Sequence, residues 1–502
     1  MEILAFVIYF VVVLGIGLFF FVQSRKQNGE KEYFLGGRSM GPWVTAMSAQ
    51  ASDMSAWLLM GLPGSILAFG LGQAWIGIGL ALGTAANWIF IAKRLRNFSK
   101  AAGDSITLPQ YLANRFVTGG KALQIISAVI FLVFFTVYVA SSFVAGTSVF
   151  TTVFPKLDQS LALIIFALII IAYTFLGGFK AVCWTDFFQG MLMLVALLAV
   201  PIVILFTREL DFAVLETVYT YTENGVTTEC IFGSNLFGCD WRDIVSGLAW
   251  GLGYFGMPHI LVRFMSIKKA KMVKTSAVVA IVWVVLALIA TIFIAIFGRM
   301  LIGGELLPEG NQKLVFIELS RMLFPAFIAG LLLAAIIAAS MSTADSQLLV
   351  ASSSFTSDIY KPIFRKNASD KEVMWVGRLT VLVVAVVAYF IASSKTEGAQ
   401  AIMNMVENAW AGFGAAFGPT VILSLFWKRL TYKGAVAGVV VGAVVDVAWM
   451  FTLSASTGIY ELIPGFIAGL IACVIVSLVD KKPSDEVYAL FAAATDKMVT
   501  ED

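Results

Sequence analysis

The sequence predicts an all-α polytopic membrane protein with thirteen transmembrane helices, and three observations predict it. Of the 502 residues, 60% are hydrophobic and 13% charged, against about 45–50% apolar and about 25% charged in a soluble domain. Thirteen continuous apolar runs each approach or exceed the about 20 residues that cross about 30 Å of hydrocarbon. The basic residues gather in alternate loops. The same composition, with a net charge of only +3, excludes a disordered chain, a collagen-like fibre and a basic nucleic-acid binder.

The runs are 3–22, 43–68, 71–92, 123–153, 160–178, 186–206, 241–264, 275–298, 318–345, 373–393, 400–427, 433–453 and 460–479. The first has no Lys or Arg before it and no small-residue cleavage site before the polar SRKQNGEK stretch, so it reads as a retained span. A β-barrel would show short alternating segments instead of continuous runs. Loops 23–40, 93–121, 179–185, 263–274, 358–372 and 428–433, with the tail after 479, hold 26 Lys and Arg. The facing loops hold five: Lys156, Arg208, Arg299, Lys313 and Lys395. The positive-inside bias puts the N-terminus outside and the C-terminus in the cytoplasm, as an odd number of spans requires.

The second run breaks the apolar rule. Asp53 lies mid-span among Ser48, Gln50, Ser52 and Ser55, with Gly61 and Pro63 following. An acid inside a span is costly. Small polar residues before a Gly-x-Pro suit a helix that unwinds in mid-membrane and exposes carbonyls, hard ligands for a small cation. A small-residue helix interface with Asp53 hydrogen-bonded inside the bundle is the other reading. The seventh run, LAWGLGYFGMPHIL at 248–261, concentrates Gly251, Gly253, Gly256 and Pro258 beside Gly247, all helix weakeners. The two interrupted runs stand five spans apart. An odd shift inverts one unit relative to the other, and paired interrupted helices in inverted halves point to a transporter's central site.

In AAIIAASMSTADSQ, at 334–347, Ala339, Ser342 and Thr343 fall at i, i+3 and i+4 and share one helical face. They offer one carbonyl and two hydroxyls, a low-charge oxygen set that suits a monovalent ion better than Ca²⁺. Tight packing of small residues is the alternative. Asp186 reads either as a cap at the cytoplasmic start of span six or as part of an ion exit path. Asp345 reads as a solvated end residue, and Glu318, Glu407 and Asp446 receive no role. His259, the only histidine, reads as a buried hydrogen-bonding group. Cys230 and Cys239 share the outer loop 207–240, in a compartment where disulfides persist, and read equally as a bridge or as two free thiols. No phosphate-binding P-loop is present, so ATP on this chain would not drive transport.

FLGGRSMGPWVTAMSAQASDMSAWLLMGLPG, YTFLGGFKAVCWTDFFQG, WGLGYFGMPHILVRFM, AASMSTADSQLLVASS and NAWAGFGAAFGP resemble the sodium/solute symporter family, in the same order from about residue 30 to 480. The resemblance implies a five-plus-five inverted-repeat core at 39–429, with repeats at about 39–206 and 241–429. It implies one extra span with its loop at 1–38, two more spans at 430–479 and a cytoplasmic tail at 480–502, in a bacterial cytoplasmic membrane. It implies sodium-coupled import of a small solute, L-proline, by alternating access, with no enzyme activity, no cofactor beyond the coupling ion, and no obligate protein partner or nucleic acid. The implied sodium ligands are the carbonyls of Ala51, Met54 and Ala339 and the hydroxyls of Ser342 and Thr343. Asp53 is implied nearby, and Asp186 on the inward sodium route. The implied solute pocket is Ser55, Trp57, Tyr138, Trp250, Tyr254 and Pro258. Aromatic faces there would enclose the pyrrolidine ring and attract its ammonium, although ordinary bundle packing also accounts for such aromatics. Position 56 is Ala and position 257 is Met, where the pattern usually has Gly and Gln. Another small solute, coupling to protons, or a membrane-embedded sensor are the alternatives; the tail after 479, about 23 residues, is too short for an appended signalling domain.

Overall fold

The computed structural model describes residues 1–24, 29–176, 178–223, 225–394 and 401–496. Arg25, Lys26, Lys395 and Lys497, which enter the charge tally, lie outside the described residues, as does the end of the tail. Among the described residues, 11 helices are long and apolar enough to cross a membrane. The remaining two predicted runs, the second and the fifth, contain shorter apolar helices, Ala56–Phe69 and Gln159–Ala172.

The bundle is apolar on its outer surface as well as in its core. Large apolar side chains such as Val11, Leu168, Phe206, Leu379 and Phe390 face outward, while the interior mixes large apolar residues such as Trp88, Phe131 and Phe135 with buried polar ones such as Ser48, Asp186 and Thr343. The helix Ala326–Ser353 is the extreme case: it is buried without interruption from Leu332 to Ser353. A helix apolar on every side suits such a position, but here the lining is Ala, Ser and Thr, which lets neighbouring backbones approach. This helix also corrects the ninth predicted run. Pro325 caps it, separating it from Val315–Leu323, and the helical path continues through Ser354–Phe364. Asp358 and Lys361, expected in a loop, are therefore helical.

The chain is not wholly α-helical. In the loop 207–240, Tyr219–Glu223 pairs antiparallel with Val226–Cys230 in a two-stranded sheet. Arg299, fully buried, pins this hairpin to the bundle. Its Nη1 donates to the carbonyls of Leu67 (2.8 Å) and Ala68 (3.2 Å), and its Nη2 donates to those of Thr217 (2.5 Å) and Cys230 (3.0 Å). A cation at the C-terminal carbonyls of Gly61–Phe69 also complements the helix dipole. Cys230 and Cys239 are not bridged in the structure: both are free, Cys230 buried and Cys239 donating to the Leu236 carbonyl.

The glycines of the seventh run do different work from that expected. The helix Trp241–Gly253 passes through Gly247 and Gly251 unbroken. These glycines instead meet Gly79 and Gly83 of the helix Ala74–Ala86 at backbone contact. A Cβ on Gly83 would stand 2.4 Å from the Gly251 Cα, and one on Gly79 2.3 Å from the Gly247 carbonyl oxygen. Gly83→Ala must therefore push the two helix backbones apart rather than move a flexible side chain. Overpacking of this kind costs about 1–3 kcal/mol. The thermal unfolding midpoint of the purified protein in detergent is expected to fall for Gly83→Ala and to hold for Gly15→Ala, where nothing lies within 4 Å; equal midpoints would mean that the crossing is slack.

Candidate functional site

The second run unwinds where the sequence suggested. Pro42–Asp53 is helical, Met54 leaves the helix at φ −81°, ψ 74°, and Ser55 is extended. Ala56–Leu58 forms a single 3₁₀ turn before Gly61–Phe69 resumes. The local cause is visible in the hydrogen bonds. The Ser55 N–H donates to the Asp53 carbonyl (2.9 Å), not to that of Ala51. The Ala51 carbonyl is thereby released, and the Ser342 hydroxyl donates to it at 2.8 Å. The same hydroxyl lies 3.2 Å from the Ala339 carbonyl. Three of the five expected sodium ligands thus converge across 291 residues of chain. The Thr343 hydroxyl, next along, is buried without a hydrogen-bond partner among the described residues. Met54, the fifth, is buried at the break itself.

The second interruption is confined to Tyr254–Met257, between Trp241–Gly253 and Pro258–Ser266. Pro258 begins the second half-helix, where its missing N–H is no loss. The two breaks are joined by the Tyr254 hydroxyl, which donates to Asp53 Oδ2 at 2.5 Å; Asp53 Oδ1 is buried and unpartnered among the described residues. The Tyr138 hydroxyl reaches the Asp53 carbonyl at 3.5 Å, and the Ser55 hydroxyl accepts from the Trp57 N–H at 3.5 Å. The Trp57 and Trp250 rings stand 6.2 Å apart, tilted by 38°. Ser55, Trp57, Tyr138, Trp250 and Tyr254 are all buried.

Sequence reasoning missed the supports of this pocket. Trp410 donates from Nε1 to the Trp250 carbonyl (2.8 Å) and meets the Tyr254 ring edge-on at 5.0 Å. Tyr460 stacks on Trp250 at 5.4 Å, and Asn87 Nδ2 donates to the Tyr254 carbonyl at 3.1 Å. Nothing in the local pattern of those residues marks them, because they meet the pocket from distant helices.

Asp186 is not a cap. It lies two turns inside Phe179–Thr207 and is fully buried. Ser48 Oγ donates to its Oδ2 at 2.6 Å, and Arg263 Nη2 lies 3.2 Å from the same oxygen. Arg263, counted from sequence as a loop charge, is also fully buried. It donates to Ser48 Oγ (3.1 Å), to the His259 carbonyl (2.7 Å) and to Ser346 Oγ. Ser48 is three residues before Ala51, and Ser346 three after Thr343, so this network forms the next layer along both helices. Asp345, expected at a solvated end, is fully buried, with both side-chain oxygens unpartnered among the described residues. Both imidazole nitrogens of His259 are likewise buried without hydrogen-bond partners among the described residues; its ring packs edge-on against Phe135 and Tyr138 instead.

Interrupted helices meeting around buried carbonyls, hydroxyls and aromatics define a polytopic membrane transporter. The chain belongs to the sodium:solute symporter family, whose model matches residues 33–442. It is 44% identical over 502 residues to the sodium/proline symporter of Haemophilus influenzae, covering 98% of this chain and 97% of that one. It is 44% identical over 480 residues to the high-affinity proline transporter PutP of Bacillus subtilis, covering 95% and 98%. In fold it is similar to a Na⁺-coupled sialic acid symporter solved in a substrate-bound outward-open state, with TM-score 0.73 and 20% identity over 96% of this chain and 98% of that one. It is also similar to Mhp1, a nucleobase-cation-symport-1 family transporter in a closed conformation, with TM-score 0.54 and 16% identity over 92% and 98%.

Proposed function

We infer that the chain is a sodium-coupled secondary active symporter that imports L-proline by alternating access. Near-full-length likeness to relatives named for sodium and proline supports the solute and the ion. The observation that carries the mechanism is the Ser342 hydroxyl spanning the released Ala51 carbonyl and the Ala339 carbonyl. It ties the broken helix to Ala326–Ser353 through a hydrogen bond that a sodium ion would replace, the hydroxyl keeping its proton and turning its oxygen to the ion. Sodium would then take the carbonyls of Ala51, Met54 and Ala339 and the hydroxyls of Ser342 and Thr343, with Asp53 supplying negative charge beside it.

L-Proline is a compact zwitterion with an apolar ring. Trp57, Tyr138, Trp250 and Tyr254 offer it faces for the ring and the secondary ammonium, Ser55 a hydroxyl, and the half-helix opened by Pro258 an N-terminus for its carboxylate. Since Tyr254 already bonds Asp53, the solute wall and the acid beside the ion share one hydrogen bond, a short physical route for coupling. Asp186, one layer inward with Ser48, Arg263 and Ser346, lines the route by which sodium leaves. The remaining architecture follows the family: thirteen spans, a five-plus-five inverted-repeat core, the N-terminus outside and the C-terminus in the cytoplasm of a bacterial cell. The bundle of spans two, three, seven and eight moves against the rest.

The energetics allow it. One charge moving down 100 mV releases about 2.3 kcal/mol, and a tenfold sodium gradient adds about 1.4 kcal/mol. Together they sustain a proline ratio of about several hundred. Proteoliposomes holding the purified protein are expected to accumulate radiolabelled proline under an imposed inward sodium gradient. No accumulation, or equal accumulation under potassium, overturns the reading.

A further inference from the structure

A cavity of 250 Å³ opens beside Trp250 and is not used by the site described above. Gln73, Asp243, Ser246, Glu407, Ser454 and Tyr460 line it with Trp250. These residues come from the loop after the first broken segment, the start of Trp241–Gly253, the start of Ala401–Phe426 and the turn before Leu462–Val479. In the proposed orientation all four lie toward the outside. The floor of the cavity is aromatic: Tyr460 stacks on Trp250 at 5.4 Å, and Trp250 on Trp410 at 6.4 Å. Trp250 also stands beside Trp57, with ring centroids 6.2 Å apart. The Trp250 indole therefore belongs both to this cavity and to the central pocket.

The polar groups around the stack are held in place. The Tyr460 hydroxyl donates to the Glu407 carbonyl at 2.9 Å, and the Tyr460 N–H donates to Ser246 Oγ at 3.1 Å. The Ser454 hydroxyl lies 3.4 Å from Glu461 Oε2, while Glu461 Oε1 is buried without a partner among the described residues. The Glu407 carboxylate, half-buried at the wall, has no hydrogen bond or ion pair among the described residues. Glu407 and the nearby Glu461 put two acids beside an aromatic lining with no cationic partner among the described residues, and an arriving organic ammonium would compensate them. The Ser246 hydroxyl proton and the Gln73 amide are donors for a carboxylate on the same ligand.

We propose that this cavity is an outer waiting site for the transported zwitterion, which rests with its ammonium at Glu407 and its ring on Trp250 and Tyr460 before the stack opens. The assignment rests on the proposed proline import and adds a second, weaker site to it. Attraction of the ammonium raises the local solute concentration at the gate, so the site acts on the rate of arrival. It does not change the equilibrium affinity of the central pocket.

Glu407→Gln keeps the shape of the side chain and the Tyr460 bond to the backbone carbonyl while removing the charge. The variant is expected to raise the proline concentration for half-maximal sodium-driven uptake by about fivefold or more. Equilibrium binding of radiolabelled proline to the detergent-purified variant at saturating sodium should hold within about twofold, and Glu407→Asp should restore most of the uptake. An unchanged half-saturation overturns the waiting site, and so does a parallel loss of equilibrium affinity, which would place Glu407 in the central pocket. Asp243→Asn, on the exposed rim, carries the same pair of measurements should Glu407→Gln fail to reach the membrane. Absence of sodium-dependent proline uptake in the wild type would instead remove the import reading itself.

Discussion

Asp53→Asn is expected to raise the sodium concentration for half-maximal proline uptake by more than about a hundredfold, or to abolish sodium-driven uptake. Asn has the size of Asp and an oxygen that can still accept from the Tyr254 hydroxyl, so the join between the two broken helices survives. What disappears is one formal negative charge, two residues from the Ala51 carbonyl and one before Met54. A unit charge about 5 Å from a monovalent cation, at an effective dielectric constant of about 20, contributes about 3 kcal/mol, and each 1.4 kcal/mol is tenfold in affinity. Ser342→Ala removes a neutral member of the proposed ligand set and should cost less, because a hydroxyl dipole is weaker than a charge. Its loss also leaves the Ala51 carbonyl without the donor that reaches it across the bundle. The measurement is uptake into proteoliposomes over a range of sodium concentrations. An Asp53→Asn curve that coincides with wild type would take Asp53 out of the sodium site and leave it as a structural acceptor for Tyr254.

The features of this architecture that were legible in the sequence are those written in local composition. Continuous apolar runs marked most of the helices. The first break was legible because SAQASDMSA carries nothing that packs well against lipid, and the chain does leave the helix at Met54. The Ala339–Ser342–Thr343 face was legible from helical spacing alone. The second break was legible for a reason that holds only in places. Gly247 and Gly251 admit a neighbouring backbone, and only Tyr254–Met257 departs from the helix. The hairpin Tyr219–Glu223 and Val226–Cys230 had a signal that went unread, two Thr-rich runs separated by the Asn-Gly pair at 224–225. The supports of the site had none. Arg263 stands beside Lys268 and Lys269 and looks like the first charge of a cytoplasmic loop. Only the placement of Phe179–Thr207 against Pro42–Asp53 brings Asp186 to it. Trp410 and Tyr460 likewise reach Trp250 from elements 160 or more residues away. Partners so distant are fixed by how helices pack, and a window along one helix cannot hold that information.

Arg263→Met is expected to be the most destabilising single change near the site, and the double variant Arg263→Met/Asp186→Asn is expected to recover much of the loss. Both members of the pair are fully buried, at 3.2 Å. Removing one partner of such a pair costs about 3–5 kcal/mol, because the other is left as an uncompensated buried charge, whereas removing both is often close to neutral. In Arg263→Met, Asp186 keeps the Ser48 hydroxyl donor but loses its cationic partner, and its Oδ1 already lacks a hydrogen bond among the described residues. Ser346 and the His259 carbonyl lose their guanidinium contacts as well, so recovery in the double variant should be incomplete. The thermal unfolding midpoint of monodisperse protein in detergent measures this first half. A single variant as stable as wild type would mean that water or a neighbouring group already satisfies Asp186. The second half concerns function. If Asp186 lines the inward sodium route, the stabilised double variant should bind sodium and proline yet turn over slowly, because a carboxylate on the exit path has gone. Normal turnover in a folded double variant would make the pair a packing device. The two measurements separate because the double variant restores charge balance without restoring the carboxylate, so stability and transport should diverge in that one protein.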